Sequence, residues 1–398
     1  MSQTLPLIDS IKLQNFLSFG PKPLELDLKP LNILIGPNGS GKSNLIEAIG
    51  FLRSAAKDLT APIRDGGGVS EWLWKGASNT PIAEIEAKIN YPFAQIPICH
   101  RISFTMEGQR FKLEDESIEN SRPDGPQYKD VRFFYRFQKG HPVINVCESG
   151  DFKERKLQWD DVAFDQSVLS QRKDPDQYPE ITYLGNQYTK IRFYREWNLG
   201  RYTPPRIPQK ADLPDDFLEE NMSNLGLILN DLEHRPGWKE MLERLRLFSG
   251  SFDDISVKVH GGTVQIFLRE KGMDQPIPAT RLSDGTLRFL CLLAVLCHPN
   301  PPPLICVEEP ELGLHPDIIP LLAEIIKEAS SRTQLIITTH SDALVDAFSD
   351  EPESVVVCEK ENSSTTMKRL ERQALSEWLH KYSLGEIWQM GEIGGKRW

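Results

Sequence analysis

Leu31-Asn32-Ile33-Leu34-Ile35-Gly36-Pro37-Asn38-Gly39-Ser40-Gly41-Lys42-Ser43-Asn44 is the stretch whose reading decides the fold. Leu31 to Ile35 is mostly apolar and suits a buried central strand. Gly36 to Ser43 matches G-x-x-x-x-G-K-[ST]. Beyond it Leu45, Ile46, Ile49 and Leu52 recur at helical spacing, predicting a helix over Ser43 to Ala56. Strand, glycine turn and helix in this order are the context a phosphate-binding P-loop requires.

Each residue type has a physical purpose there. The glycines let backbone N–H groups converge on phosphates without a side-chain clash. The helix N-terminus adds its dipole and its unpaired donors. Lys42 is expected to reach the β- and γ-phosphates, and Ser43 to place its hydroxyl on Mg²⁺. Asn38, Gly39, Ser40, Gly41, Lys42, Ser43 and Asn44 are therefore the candidate nucleotide-binding residues. A P-loop does not choose among kinases, GTPases and ATPases, but no Asn-Lys-x-Asp guanine-reading motif is present.

Working outward, three further features stand in order along the chain. Ser283-Asp284-Gly285-Thr286 opens the apolar pattern Thr286 to Cys297; taken alone it is a helix N-cap, and it is also an anion site. Leu304-Ile305-Cys306-Val307-Glu308-Glu309-Pro310 is an apolar strand ending in two carboxylates, as in a Walker B segment. Glu308 is expected to hold Mg²⁺, and Glu309 to take a proton from, or orient, the attacking water. Thr338-Thr339-His340-Ser341 ends the next predicted strand, with His340 as a candidate partner of the γ-phosphate or the water.

The remaining composition sets bounds. The chain has 398 residues, 39% hydrophobic and 26% charged, with a formal net charge of −11. This is ordinary globular composition, and the acidity disfavours coating nucleic acid through the whole surface. Cys99, Cys147, Cys291, Cys297, Cys306 and Cys358 form no C-x-x-C pair, so neither a zinc site nor a disulfide framework is expected. Met1 to Asn15 shows no signal-peptide pattern, and Leu287 to Cys297 is too short to span a bilayer. The chain is read as cytoplasmic, without a membrane anchor.

In coarse outline, strands are predicted at Ile11–Leu17, Leu24–Leu28, Ala83–Tyr91, Cys99–Met106, Val131–Phe137 and Val143–Val146. Asp115–Lys129, Gln166–Pro179 and Asn198–Pro214 read as loops, and Asp215–Leu232 and Gly237–Phe248 as helices. Ser256–Val259 and Thr263–Arg269 read as a hairpin closed by Gly261-Gly262. The last third alternates helix and strand, and no long coiled coil is expected.

P-loop, Ser283-Asp284-Gly285, Glu308-Glu309 and His340 in this order resemble the ABC-type ATPases of the SMC/RecF branch, and more closely the compact RecF-like predicted ATPases of bacteria. The opening Ile11 to Phe19, Leu282 to Arg288 and Glu308-Glu309-Pro310-Glu311-Leu312-Gly313-Leu314-His315-Pro316 carry the likeness too. The resemblance implies an α/β P-loop NTPase of ABC-type head fold, with an antiparallel β subdomain and an inserted helical lid. Residues 1–60 with 275–365 would form the head, 61–160 its antiparallel part, 161–274 the lid and 366–398 a tail. It also implies a homodimer closing on two ATP molecules, each P-loop facing the Ser283–Gly285 signature of the other copy. ATP and Mg²⁺ are the implied cofactors. Two departures stand out: Glu308 replaces the Asp of the wider class, and the signature reads Ser-Asp-Gly rather than Ser-Gly-Gly. Gln95 and Gln187 are the candidates for a glutamine loop.

Three functions fit this reading. The first is an ATP-driven clamp or switch in DNA repair or anti-phage defence. Its candidate single-strand contact is Lys190, Arg192, Arg195 and Arg201 among Tyr188, Phe193, Tyr194, Trp197 and Tyr202, a mix that also suits a solvated strand over a core. The second is a regulatory ATPase controlling a separate effector such as a nuclease, with Trp378 to Trp398 either docking a partner or folding onto the head. Nucleases of the overcoming-lysogenization type resemble the chain in their ATPase part. A transporter ATPase is disfavoured by the opening strands and the Ser-Asp-Gly signature.

Overall fold

The computed structural model describes residues 5–138, 140–148, 151–158 and 161–395. By internal contacts the chain divides into two compact units, one comprising Leu5–Ile191 with Val356–Arg369, the other Arg192–Val355 with Leu370–Ile393. The segment 61–160 packs with the P-loop segment, and 161–274 contributes to both units.

The first unit is built on an antiparallel sheet. Leu24–Asp27, Ile8–Gln14, Ala83–Ile89, Ile98–Glu107, Arg110–Asn120, Phe133–Gln138, His141–Glu148 and Asp151–Lys156 follow one another across it. Alternation decides which face is buried: in Ala83–Ile89 the alanine and isoleucine positions are buried and the charged ones half-exposed. Phe16, Phe51, Trp72 and Phe104 meet beneath the sheet, with Phe51 and Phe104 ring centroids 5.0 Å apart. Phe51 lies on the helix Lys42–Ala55, so the P-loop helix is anchored in this aromatic core. Leu31–Ile35, buried at every position, neighbours Val355–Glu361, which hairpins antiparallel onto Ser364–Arg369.

Asp115–Asn120 is strand, not the start of a loop. Its polarity misled the reading because Glu116 is a buried carboxylate with partners. It faces the His100 ring at 3.2 Å, accepts the Val168 N–H at 3.0 Å and accepts the Ser167 hydroxyl. Satisfied hydrogen bonds let a charged residue sit where an apolar one is expected. Ser167 also caps the short helix Val168–Gln171, inside the segment read as a loop.

The second unit carries a parallel ladder of Arg192–Tyr194, Leu304–Glu308 and Gln334–Thr338. Helices Asp284–Leu296 and Ile319–Ala329 belong to this unit, as does the hairpin Phe252–His260 with Thr263–Glu270, closed at Gly261 and Gly262, both at positive φ. The helix expected over Asp215–Leu232 forms only over Leu225–Glu233. Upstream, the Asn224 amide donates to Pro214 O and Phe217 O, which stabilises a turn in place of helix.

The C-terminal segment folds back within this unit. Leu384, Ile387 and Trp388 are buried, and Gly385 N–H and Leu384 N–H donate to Asp346 and Ser349 at 2.6 and 2.9 Å. Trp388 is thus core rather than a docking residue; Trp398 lies outside the described residues. All six cysteines stand outside any disulfide, four of them buried. No described helix is long and apolar enough to cross a membrane.

Candidate functional site

Gly36 sits at φ +144°, and a Cβ there would fall 2.1 Å from Cys358 O. Only glycine allows the strand Leu31–Ile35 to turn sharply against its neighbour. Gly41 is at φ +102°, immediately before the helix Lys42–Ala55, where a Cβ would meet Thr365 Oγ1 at 2.2 Å. Thr365 is the brace behind the loop. Its hydroxyl donates to Ser40 O at 2.9 Å and lies 2.6 Å from Ser18 Oγ. Asn44 donates to that same Ser18 oxygen at 2.6 Å, so its amide supports the loop from within the protein. Sequence reading missed Ser18 and Thr365, because 347 residues separate them and no motif marks either.

Lys42 is buried, its ammonium donating to Gly36 O at 2.8 Å and Pro37 O at 3.1 Å. A cation curled across a loop of backbone donors suits phosphate oxygens, which both can bind. Ser40 Oγ is buried without a hydrogen-bond partner. A buried orphan hydroxyl is costly unless something pairs with it, and a phosphate oxygen fits.

The other candidates belong to the second unit. Glu308 closes the strand Leu304–Glu308, and Glu309 follows at φ +46°, a conformation rare for residues bearing a side chain. His340 follows the adjacent parallel strand, and its Nε2 lies 3.8 Å from Glu309 Oε1. Glu311 fixes this second turn: one carboxylate oxygen accepts the Thr339 hydroxyl at 2.5 Å and the His340 N–H at 3.2 Å. Burial pushes the Glu311 carboxyl above its ordinary range. Arg195 Nε lies 3.5 Å from Glu308 Oε1, giving that carboxylate a cationic neighbour.

Ser283 caps the helix Asp284–Leu296, its Oγ accepting the Thr286 N–H at 3.1 Å. Gly285 packs against the turn after the acids; a Cβ there would sit 2.9 Å from Gly313 O. A cavity of about 510 Å³ opens beside them, lined by Leu247, Phe248, Ser283, Gly285, Gly313 and His315 among others. Arg206 explains the aspartate of Ser-Asp-Gly. Its buried guanidinium donates to Leu199 O at 2.7 Å and Leu282 O at 2.5 Å, and pairs with Asp284. The Asp284 charge is thereby offset at a helix start.

Among the described residues no group of three or more His, Cys, Asp or Glu could hold a metal ion alone. Mg²⁺ binds through one or two hard oxygen donors plus substrate phosphates, and Ser43 and Glu308 carry oxygens of that kind.

A family model described as AAA domain, putative AbiEii toxin, Type IV TA system matches residues 31–346. The chain belongs to this family. Old nuclease of Escherichia phage P2 is 24% identical over 417 residues, 95% of this chain and 63% of that protein. Chromosome partition protein Smc of Methanocaldococcus jannaschii is 47% identical over 151 residues, 36% of this chain and 12% of that protein. DNA replication and repair protein RecF of Moorella thermoacetica is 34% identical over 110 residues, 27% of each. The chain thus spans less than two thirds of the length of these curated relatives. Among solved structures, an Smc head bound to the C-winged helix domain of ScpA matches with a TM-score of 0.59 at 15% identity, covering 94% of this chain and 100% of that one. The Pyrococcus furiosus Smc head with an extended coiled coil, bound to the C-terminal domain of ScpA, matches with a TM-score of 0.55 at 14% identity, covering 95% and 99%. The fold of this AAA-domain family member is a P-loop ABC-type ATPase head, and it is an SMC/RecF-like ABC-type ATPase.

Proposed function

We propose that the protein hydrolyses ATP to ADP and phosphate with Mg²⁺, as a homodimeric switch or clamp in DNA repair or anti-phage defence. The pairing of Glu309 with His340 at the ends of neighbouring parallel strands carries this reading. In it Lys42 and the loop donors bind the β- and γ-phosphates, and Ser43 and Glu308 hold Mg²⁺, which neutralises phosphate charge when bound. Glu309 accepts the proton of the attacking water, and His340 steadies that carboxylate or the γ-phosphate. Ser283 and Gly285 of a second copy supply donors to the γ-phosphate. The family's description as a putative toxin and the likeness to a phage nuclease and to RecF support the defence or repair setting.

A second reading makes the protein a regulatory ATPase that controls a separate effector, such as a nuclease, without itself binding DNA. One observation favours it. The basic–aromatic stretch 188–202 presents few of its rings to solvent: Tyr188, Phe193 and Tyr194 are buried and Arg195 faces Glu308, while Lys190, Arg201 and Tyr202 are exposed. Steady-state ATPase rates with and without linear duplex DNA separate the two. Strong stimulation supports the clamp; a slow rate indifferent to DNA supports the regulator. Glu309→Gln tests both: turnover should fall about 10²–10⁴-fold with ATP binding kept. Undiminished turnover would remove Glu309 from its role.

A further inference from the structure

Trp197 belongs to none of the motifs, yet it reaches the acid pair. It lies three residues beyond the strand Arg192–Tyr194, and its indole N–H donates to Glu308 O at 3.0 Å. Arg288, one turn into the helix Asp284–Leu296, donates to Glu309 O at 3.3 Å. The Arg288 guanidinium lies 5.0 Å from the Trp197 ring centroid, within cation–π range. The indole also stacks with Tyr194, at a centroid distance of 6.2 Å and 28° between the planes. Tyr194 is itself fully buried, its hydroxyl donating to Leu218 O at 2.7 Å.

These contacts act on the two peptide units either side of the Glu309 Cα. The Glu309 N–H donates to Thr338 O at 3.0 Å, while Trp197 takes the Glu308 carbonyl of the same peptide and Arg288 the next carbonyl. Glu309 is held at φ +46° between them. A residue with a side chain stays in that region only where its surroundings over-determine it. Relaxation of the Glu309 backbone away from φ +46° would redirect its carboxylate, which is 42% exposed and has room to move.

We propose that Trp197 is a positioning residue for Glu309, working with Arg288, and that Arg288 ties the direction of that carboxylate to the helix bearing Ser283 and Gly285. The proposal rests on Glu309 being the residue that handles the attacking water. Its physical content is that the aim of the base depends on a hydrogen bond from outside the nucleotide motifs. A displacement of about 1 Å at a reacting group costs on the order of a hundredfold in rate.

The test is Trp197→Phe in the full chain. Phenylalanine keeps an aromatic ring for Arg288 and Tyr194 and removes the N–H to Glu308 O together with part of the indole's volume. kcat should fall about 10–100-fold. The KM for ATP and the affinity for a fluorescent ATP analogue should stay within about twofold, since the P-loop is untouched. Arg288→Lys, which keeps a charged donor, should retain most of the turnover, whereas Arg288→Met should lose it as Trp197→Phe does. A Trp197→Phe protein with turnover within about twofold of the parent overturns the proposal. So does a kcat loss matched by an equal loss of nucleotide affinity, or an Arg288→Met protein with full turnover. Should Trp197→Phe melt early, the Arg288 pair decides by the same kcat-against-KM split. Normal turnover in Glu309→Gln would sink the underlying catalytic reading instead, so the two failures are distinguishable.

Discussion

Gly36→Ala should destabilise the protein far more than Gly39→Ala, although both sit in the same loop at positive φ. At Gly36 the new Cβ falls 2.1 Å from Cys358 O and 3.1 Å from Ser40 Oγ. The Cys358 carbonyl cannot swing away freely, because its strand is paired through Cys358 and Met367 to Ser364–Arg369. Backbone strain of about 1–3 kcal/mol and overpacking of about 1–3 kcal/mol then combine to about 2–6 kcal/mol. At Gly39, φ is +78° and nothing lies within 4 Å of an added Cβ, so only a left-handed backbone penalty of about 1–2 kcal/mol applies. Thermal and urea unfolding without nucleotide are the assays. At about 2–4 °C per kcal/mol for units of this size, Gly36→Ala should lower the Tm by roughly 5–20 °C and Gly39→Ala by only a few degrees. Equal losses in the two variants, or a Gly36→Ala protein melting within about 1 °C of the parent, would refute the argument that the strand pairing dictates glycine there.

Lys42→Ala should abolish the ATP-induced rise in melting temperature, which for the parent protein at a hundredfold excess over Kd corresponds to about 2.7 kcal/mol; a retained rise would remove Lys42 from phosphate binding. Thr365→Val deletes the hydroxyl that braces Ser40 O and Ser18, and nucleotide affinity should fall about tenfold through loss of one or two hydrogen bonds; unchanged affinity measured by titration would make the brace irrelevant to the loop. Glu311 gives a pH signature. Burial raises its carboxyl above 4.5, so the folded state holds that proton more tightly than the unfolded chain, and its contribution to stability is lost as pH rises from about 4.5 through the folded value. Glu311→Gln keeps an acceptor for Thr339 and His340 and removes this dependence. Its Tm relative to the parent should climb between about pH 4 and pH 7, and a flat difference would contradict the raised carboxyl.

Much of the candidate site was legible because the residues proposed to handle phosphate are close in sequence. Gly36–Ser43 is a local structure whose glycines, lysine and hydroxyl are spaced by the loop itself. Likewise Glu308-Glu309 follows directly from an apolar strand, and Ser283 from the start of an apolar helix. Polar segments were less legible. Asp115–Asn120 reads as loop until Ser167 and Val168, some fifty residues on, supply the donors that let Glu116 be buried. Asp215–Asn224 reads as helix until the Asn224 side chain is found bonded to carbonyls upstream.

The sequence by itself determined the P-loop, the order of the acid pair, signature and histidine, and the α/β class, because local spacing and periodicity encode them. Only the tertiary structure decided which groups hold those residues in place. Thr365 behind Ser40, Arg206 against Asp284, and Trp197 and Arg288 on the carbonyls of Glu308 and Glu309 all come from distant segments. It also decided that Phe193 and Tyr194 of the basic–aromatic stretch are interior, since the pairing of Arg192–Tyr194 with Leu304–Glu308 is a long-range contact. A hydrogen bond between residues far apart in sequence leaves no period or motif to read; it exists only once the chain has folded.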